Sequence, residues 1–296
     1  MRLNPIYTKE LKQNSRMGKT AIMLFFYNAI LSVLGLFALF LVFNDNQKKG
    51  YNVNYSDILK IYGIIIGIEY VLVIFIIPAM TAGSISGERE KQTLEILLTT
   101  KITTLEIVLG KLASSISMMI LLAFSSLPII AIVFTIGGIS VLDLFQFMLL
   151  IITTAIFLGS IGIFFSTLCK KTTAATVCTY IAVLIITGGL TLIFVCANLL
   201  NSQMGNGIDK SVNYPINNPY TNINYILLIN PIFSFLALLN RQTGIGSNLG
   251  SLWYAQDRTR YVIAVYWVEC SQILQMIISA VLLMGASTLL KPRKIK

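Results

Sequence analysis

Charged side chains are scarce in this 296-residue chain, and one short segment combines acids and bases. Residues 84–100 lie between two long apolar runs and have the sequence Ser-Ile-Ser-Gly-Glu-Arg-Glu-Lys-Gln-Thr-Leu-Glu-Ile-Leu-Leu-Thr-Thr. The charges come first, a short apolar group follows, and two threonines close the segment. Neighbouring acids and bases can form ion pairs, and an apolar patch beside them can enter a cleft in another protein. The segment therefore predicts a docking surface, and the alternative is an ordinary solvated loop.

Two further carboxylates lie inside apolar runs. Glu69 is near the middle of the second run, and Glu269 is in the outer part of the last one. A carboxylate within a membrane costs on the order of 2–3 kcal/mol, so each should face protein or water. Each one either forms the wall or gate of a polar translocation path, or makes a protonated or hydrogen-bonded packing contact. The sequence names a partner for neither.

Residues that could carry catalysis or bind a metal are few. The sequence has no histidine, which removes the commonest general base and metal ligand. The four cysteines lie in or beside apolar runs, without metal-ligand spacing. Gly18-Lys19-Thr20 ends like a phosphate-binding loop, but Gln13 stands where the leading glycine is required. We therefore expect no catalytic site, no metal site and no cofactor in this chain.

Composition predicts a membrane protein. Hydrophobic residues make up 56% of the chain and charged residues 11%, and the mean hydropathy is +0.79. A soluble chain of this length would expose far more charge. In such an apolar chain the net charge of +10 indicates basic loops at an anionic membrane face. The expected partner is therefore the lipid bilayer, and no nucleic acid.

Six apolar runs have the length of about 20 residues that crosses the hydrocarbon core. The sequence therefore predicts an all-α polytopic membrane protein, with residues 1–296 forming a single transmembrane domain. The predicted spans are residues 21–43, 58–80, 109–135, 143–168, 174–198 and 261–290.

The positions of lysine and arginine predict the orientation. These cations are concentrated before span one, between spans two and three, between spans four and five, and after span six. Because cations collect on the cytoplasmic side, both termini should lie in the cytoplasm, with the chain in the inner (plasma) membrane of the cell. Residues 81–108 then form a cytoplasmic loop, and residues 199–260 form an extracellular segment.

Cap residues mark several helix starts. Thr103 and Glu106 have the spacing of a capping box before span three. Asp143 is expected to cap span four, and Thr172 or Thr173 is expected to cap span five.

Two shorter helices are predicted outside the spans. Asn4-Pro5 resembles a cap followed by proline at the first helical position, which predicts an interfacial helix over residues 5–16 within the cytoplasmic segment 1–20. Asn230-Pro231 predicts another start, before an apolar stretch too short to cross the bilayer. That external helix should be re-entrant or packed on the ends of the spans.

Glycines mark two further points in the spans. Gly63 and Gly67 have the small-xxx-small spacing that permits close helix approach. Gly188-Gly189 predicts a bend or a close packing point in span five.

These residues resemble those of a known family, the type-2 ABC export permeases. The first cytoplasmic loop of that family is similar to Ser86-Gly87-Glu88-Arg89-Glu90, to Thr93-Leu94-Glu95-x-Leu97-Leu98 and to Glu106-Ile107-Val108-Leu109-Gly110-Lys111. The start, Asn4-Pro5-Ile6 with Lys9-Glu10-Leu11, resembles the N-terminal interfacial ("elbow") helix of the same proteins. Six spans, internal termini and a long external segment before span six agree with this resemblance.

The resemblance implies one permease half of an ATP-driven exporter that works by alternating access. It implies a second permease subunit, identical or a paralogue, and separate ABC ATPase subunits that bind ATP and Mg²⁺. The chain itself would be no enzyme. The residues implied to couple it to the ATPase are Glu88, Arg89 and Glu90 in the extension of span two, and Thr93, Leu94, Glu95, Leu97 and Leu98 in a coupling helix.

Two alternatives remain open at this point. A secondary transporter or ion channel would use the intramembrane carboxylates Glu69 and Glu269. A membrane enzyme would need convergent catalytic groups, for which Glu88 with Glu90 is the one carboxylate cluster.

Overall fold

The computed structural model describes residues 5–16, 18–49, 55–99, 102–136, 140–196, 225–244 and 266–291. Within these ranges the regular structure is helical, with no strand. The helices are α1 (Pro5–Arg16), α2 (Gly18–Lys49), α3 (Tyr55–Ala82), α4 (Ser86–Glu90), α5 (Leu94–Leu98), α6 (Thr104–Ile136), α7 (Val141–Leu168), α8 (Thr172–Leu184), α9 (Pro231–Thr243) and α10 (Trp267–Leu290). A π-helical segment, Ile185–Gly189, continues α8.

Six helical segments are long and apolar enough to cross a membrane. They are Thr20–Asn44, Leu59–Glu90, Thr104–Ala131, Val141–Leu168, Thr172–Cys196 and Trp267–Leu290. The prediction of an all-α chain with six candidate membrane-spanning helices is therefore confirmed. The predicted cap Asn4, most of the segment 199–260 and the first residues predicted for span six lie outside the described residues.

Two of the predicted helix starts can be compared with their hydrogen bonds. At α6 the Glu106 carboxylate accepts from the Thr103 backbone N–H at 2.8 Å, and Thr103 Oγ1 accepts from the Glu106 N–H at 3.2 Å. This is the predicted capping box. At α7 the cap is Ser140, whose Oγ accepts from Leu142 N–H at 3.0 Å. Asp143 instead accepts from the Ser140 N–H at 2.9 Å, so the expectation that Asp143 is the cap was wrong by three positions.

Helix α7 lies at the centre of the bundle and packs against α3, α6, α8 and α10. Two of its glycines make this packing close. A Cβ atom on Gly162 would overlap Thr81 Oγ1 and lie 2.9 Å from Thr81 Cβ and 3.3 Å from the Ala82 nitrogen. A Cβ on Gly159 would lie 2.8 Å from Leu112 Cδ1. The end of α3 therefore rests directly on the backbone of α7.

Helix α9 is inserted against α3 rather than lying apart from the bundle. The Tyr70 hydroxyl donates to the Pro231 carbonyl at 2.8 Å, and the Tyr70 ring stacks on Phe235 at 4.5 Å between ring centres. Gly63 and Gly67 accommodate side chains of α9, since Cβ atoms there would lie 3.4 Å from Leu239 and 3.9 Å from Phe235. At both glycines the neighbouring atoms belong to side chains at ordinary contact distance, so the predicted close approach of another helix is not seen at these two positions.

Asn230 joins α9 to the irregular part of span five. Its Oδ1 accepts from the Ile232 N–H at 3.0 Å, which is the predicted cap. Its Nδ2 donates to the Thr187 carbonyl at 2.9 Å and to Thr191 Oγ1 at 3.1 Å. Thr187 lies within the π-helical segment, where Gly188-Gly189 predicted a bend. The side chain is fully buried, so the second half of span five is fixed to the start of α9.

Candidate functional site

The charged segment singled out in the sequence lies at one end of the bundle, between α3 and α6. We call this end the loop face and the other end the opposite face. Helices α4 and α5 are joined by a tight turn in which the Thr93 N–H donates to Glu88 O at 2.9 Å and the Gln92 N–H donates to Arg89 O at 3.1 Å. Gln92 has a positive φ of 58°, as this helix-ending arrangement requires. The turn fixes where α5 stands relative to α4.

Glu88 is held by a lysine of α6. Lys111 Nζ lies 2.7 Å from Glu88 Oε1 and 2.9 Å from Glu10 Oε1 of α1. The Lys111 side chain is only 3% exposed, while the two carboxylates are about a quarter exposed. One cation thus joins α4, α6 and α1. Lys111, which ends the motif Glu106-Ile107-Val108-Leu109-Gly110-Lys111, lies inside α6 and is buried.

Arg89 binds the end of α7. Its guanidinium donates to the Cys169 carbonyl at 2.8 Å and to the Thr167 carbonyl at 3.0 Å. The last carbonyl groups of a helix have no partner within the helix, and they carry a partial negative charge. The Arg89 guanidinium therefore supplies donors to two carbonyl groups at this helix end and holds α4 against the connection between α7 and α8.

Glu90 caps the start of α8. Its two carboxylate oxygens accept from the Thr172 N–H and from Thr172 Oγ1, both at 2.9 Å. Lys171 occupies the cap position, and its side chain makes no cap hydrogen bond. The expectation that Thr172 or Thr173 caps span five was therefore wrong, because the carboxylate comes from a residue 82 positions earlier. An anion also suits the partial positive charge at a helix start.

Three consecutive residues thus bind three different parts of the bundle. We name Glu88, Arg89 and Glu90 the clamp: they bind α6 with α1, the end of α7, and the start of α8. Ser166 of α7 adds to it, since its Oγ accepts from the backbone N–H groups of Ile85 and Ser86, each at 2.9 Å. Sequence reasoning missed Ser166, because a serine inside an apolar helix carries no signal of a partner 80 residues away.

Helix α5 is anchored on one side and exposed on the other. Leu94 is buried in an apolar cluster that includes Ile85, Val108 and Leu290, and Leu98 packs against that cluster. Ile96 points outward and is 68% exposed. The other outward residues beside it are Thr93, Glu95 and Thr99, with Leu97 partly exposed. Of the predicted coupling residues, Leu94 is thus internal, and Ile96 is a surface residue that the predicted set left out.

One family comparison bears on the whole chain. The sequence model described as "ABC-2 family transporter protein" matches residues 5–290, which is nearly the full length of 296 residues. The chain belongs to the ABC-2 transporter family. It is therefore a multi-pass membrane protein of a transporter family whose permeases work with ATPase subunits. A comparison of the sequence with curated proteins found no match.

Glu69 lies deep inside this ABC-2 protein. It is fully buried between α2, α3 and α6, and its Oε1 lies 2.6 Å from Ser126 Oγ and 3.3 Å from Tyr27 Oη. The Ser126 hydroxyl has a single hydrogen but also lies 2.8 Å from the Ala123 carbonyl. If Glu69 were protonated, it could donate to Ser126 Oγ while the Ser126 hydroxyl donates to the Ala123 carbonyl. The geometry matches the hydrogen-bonded packing contact, and a role in a translocation path stays a prediction.

Glu269 lies at the opposite face, in the first turn of α10. Its Oε1 is 2.7 Å from Arg241 Nη1 of α9, and the two side chains are 44% and 49% exposed. Exposed pairs of this kind contribute only about 0–1 kcal/mol. The partner that the sequence did not name is therefore Arg241, and a role of Glu269 in a translocation path also stays a prediction.

Proposed function

We propose that this ABC-2 protein is one permease half of an ATP-driven exporter, with the loop face in the cytoplasm and α5 seated in a cleft of a separate ATPase subunit. The observation that carries the proposal is the outward apolar side chain of Ile96 on α5, a helix that a tight turn joins to α4, which the clamp binds to several spans. A solvated loop needs no such clamp. Export rather than import rests on the resemblance of the loop to type-2 export permeases.

The clamp suggests how movement of the ATPase would reach the spans. Glu95, Leu97 and Ile96 would contact the ATPase, with Thr93 at the edge of the contact. Leu94 and Leu98 would carry the displacement of α5 into the apolar cluster beneath it. ATP and Mg²⁺ would be bound by the partner, so this chain would transmit the movement of the ATPase and would contribute no catalytic group.

Glu88, Arg89 and Glu90 would then distribute the displacement. Through Lys111 it would reach α6 and α1, through the Thr167 and Cys169 carbonyls it would reach α7, and through Thr172 it would reach α8. Because α4 continues α3 and its Glu90 binds the start of α8, α3 and α8 would tilt together. Such a tilt at one end is what alternating access requires of a span.

A second permease subunit, identical or a paralogue, would pack against α3 and α8. Large apolar side chains on these two helices are exposed, among them Val71 and Phe75 of α3 and Val177 and Ile181 of α8. The Tyr180 hydroxyl of α8 donates to the Phe75 carbonyl at 2.8 Å, which joins the two faces into one surface. The path would run between two such surfaces, in the plasma membrane.

Ile96→Asp tests the docking proposal. The tagged chain is purified from its host, and ATP hydrolysis retained by the preparation is measured. We expect the variant to lose about tenfold or more of the hydrolysis retained by the unaltered chain, because burying an unpaired carboxylate in an apolar cleft is unfavourable by 2 kcal/mol or more.

Val141→Asp is the matched control. Val141 is 69% exposed, close to the 68% of Ile96, but it begins α7 at the opposite face. Its variant should retain full hydrolysis. Equal hydrolysis in both variants, or none with the unaltered chain, would contradict the proposal.

A further inference from the structure

Span five is not a regular α-helix along its whole length. The regular part, Thr172–Leu184, is followed by the π-helical segment Ile185–Gly189, and residues 190–196 are α-helical again. Sharp kinks in helices occur at π turns and at glycines. Thr187 Oγ1 also donates to the Val183 carbonyl at 2.8 Å, and a hydroxyl bonded four residues back often bends a helix. Three features that favour a bend therefore coincide within five residues.

Packing does not account for the two glycines of this segment. The nearest atom to an added Cβ would belong to Leu184 at Gly188 and to Ile185 at Gly189, at 3.9 and 3.7 Å. Both are side chains of the same span, and no other helix among the described residues comes within 4 Å, in contrast to Gly162. Alanine would therefore fit at either position and would favour a helix more than glycine does. Two glycines that packing does not require leave the backbone free to bend here.

Asn230 supplies the hydrogen bonds that hold the π-helical segment. Its Nδ2 donates to the Thr187 carbonyl at 2.9 Å and to Thr191 Oγ1 at 3.1 Å. The Thr191 hydroxyl donates to the same Thr187 carbonyl. Asn230 is fully buried and Thr187 is nearly so, and a buried carbonyl that loses its donor destabilises the fold. The Asn230 amide therefore stabilises the irregular turn in this conformation.

The start of α9, which carries Asn230, is fixed to other helices. The Pro231 carbonyl accepts from the Tyr70 hydroxyl of α3 at 2.8 Å, and Ser234 Oγ lies 2.5 Å from Ser271 Oγ of α10. Tyr70, Ser234 and Ser271 are buried. In the second half of span five, by contrast, Leu192 is 66% exposed. Asn230 thus joins a fixed element to a half-span that has an open side.

We propose that Ile185–Gly189 is a hinge in span five and that Asn230 holds this hinge in its present conformation. When the amide releases its acceptor, residues 190–196 would tilt relative to α9 while the first half of the span stays in place. The edge-to-face contact of Phe194 with Phe233, at 5.3 Å between ring centres, is apolar and less directional than a hydrogen bond, so it would permit sliding. A hinge needs only a few residues that absorb the change in the backbone. This inference does not depend on ATPase docking.

Spin-label distances within the full chain test the proposal. Labels are attached at Leu192→Cys and Ile277→Cys in a cysteine-free background, and the distance distribution is measured in nanodiscs by double electron–electron resonance. We call these two positions the second-half pair. Val177→Cys with Ile277→Cys is the first-half pair, and all three positions are more than half exposed. Co-expression with an excess of unlabelled chain restricts the signal to distances within one chain.

Asn230→Ser separates the hinge contact from the cap of α9. Serine can still cap a helix, but it lacks the amide that reaches Thr187. We expect the distribution of the second-half pair to become at least twofold wider, with the first-half pair unchanged. Gly188→Ala/Gly189→Ala, added to Asn230→Ser, should restore most of the original width, because alanine stiffens the helix.

Gln242→Ser is the matched control. Gln242 also joins α9 to the bundle through its side-chain amide, but near the other end of the helix. It donates to the Asp143 carbonyl at 2.9 Å and accepts from the Tyr62 hydroxyl at 3.0 Å. Its variant should leave the second-half pair unchanged. An unchanged width in Asn230→Ser overturns the proposal, as does equal widening of both pairs, equal widening in Gln242→Ser, or no recovery with the added alanines.

A variant that keeps Asn230 completes the test. Gly188→Ala/Gly189→Ala alone should narrow the distribution of the second-half pair, because it removes residual bending at the hinge, and it should leave the first-half pair unchanged. An unchanged width of the second-half pair would overturn the proposal even if Asn230→Ser yields no folded protein.

Discussion

Lys111 joins three helices at the loop face. Its ammonium group is almost fully buried and joins two carboxylates from α1 and α4. Nothing near it in the sequence shows this, since it follows Gly110 in an apolar helix. Glu90 presents the same difficulty, because its role as the cap of α8 depends on a contact over 82 positions. Sequence reasoning found the charged segment, since charge is rare in this chain, but it could not predict the partners of those charges.

Lys111→Met should destabilise the protein markedly. Removing one partner of a buried ion pair costs up to about 3–5 kcal/mol, and less here because Glu10 and Glu88 are partly reached by water. The thermal unfolding midpoint of the purified protein measures the effect. Lys91→Met, at an exposed lysine of the same loop, is the control and should leave the midpoint unchanged. Equal midpoints would show that the ion pairs of Lys111 with Glu10 and Glu88 do not stabilise the loop face.

A second variant separates charge from packing at the same site. Adding Glu10→Gln and Glu88→Gln to Lys111→Met removes the uncompensated carboxylates. The midpoint should then recover a large part of the loss. A further fall would mean that the carboxylates stabilise the protein by themselves.

At the scale of helices, local signals predicted two caps correctly and two wrongly, and they predicted the neighbours of each helix poorly. The capping box at Thr103 and the cap at Asn230 were predicted correctly because each is formed by residues a few positions apart. Gly63 and Gly67 were expected to mark close helix approach, yet among the glycines that the structure describes the closest contact is at Gly162. A glycine contacts the backbone of another helix only if it lies on the face that packs against that helix. In a span that is apolar on all sides, the sequence does not show which face that is.

Gly162→Ala tests the contact between α3 and α7. In an exposed helix the change would stabilise by about 1 kcal/mol through helix propensity. Here the new Cβ overlaps Thr81, whose own Cβ and the adjacent Ala82 nitrogen cannot move by a side-chain rotation. Overpacking of this kind costs about 1–3 kcal/mol, so the unfolding midpoint should fall. Gly83→Ala, with no atom within 4 Å of the added Cβ, should not lower it. A raised midpoint for Gly162→Ala would show that the two helices separate easily.

At the scale of the whole molecule, composition and hydropathy were sufficient for the class and the number of spans. Runs of apolar residues longer than the hydrocarbon core can adopt few structures other than membrane-crossing helices. The central position of α7 was not predictable, because α7 is apolar on all sides, and so are several helices at the rim of the bundle. The surface of α5 was only partly predicted, since Leu94 and Ile96 are both apolar and only the packed structure shows which one points outward.

The orientation of the whole chain can be measured by cysteine labelling in a cysteine-free background. Lys48→Cys, at the end of α2, should react with a membrane-impermeant maleimide added to intact cells. Gln92→Cys, in the exposed turn between α4 and α5, should react only after the membrane is opened. The reason is the excess of cations in the segments around the loop face. Labelling of Gln92→Cys in intact cells would mean that the orientation is the reverse of the one proposed. Helix α5 would then lie outside the cell, away from cytoplasmic ATP.

The most direct test of the central claim is photo-cross-linking from position 96 in native membranes. A photoreactive residue replaces Ile96, the most outward apolar side chain of α5, and the same residue replaces Val141 at the opposite face as a control. After irradiation, mass spectrometry identifies the protein joined to each position. We predict that position 96 forms an adduct with a protein that carries a phosphate-binding loop of an ATPase, and that position 141 does not. An adduct from position 96 with lipid alone, or the same ATPase adduct from both positions, would contradict the proposal that α5 is the ATPase-docking element of this transporter.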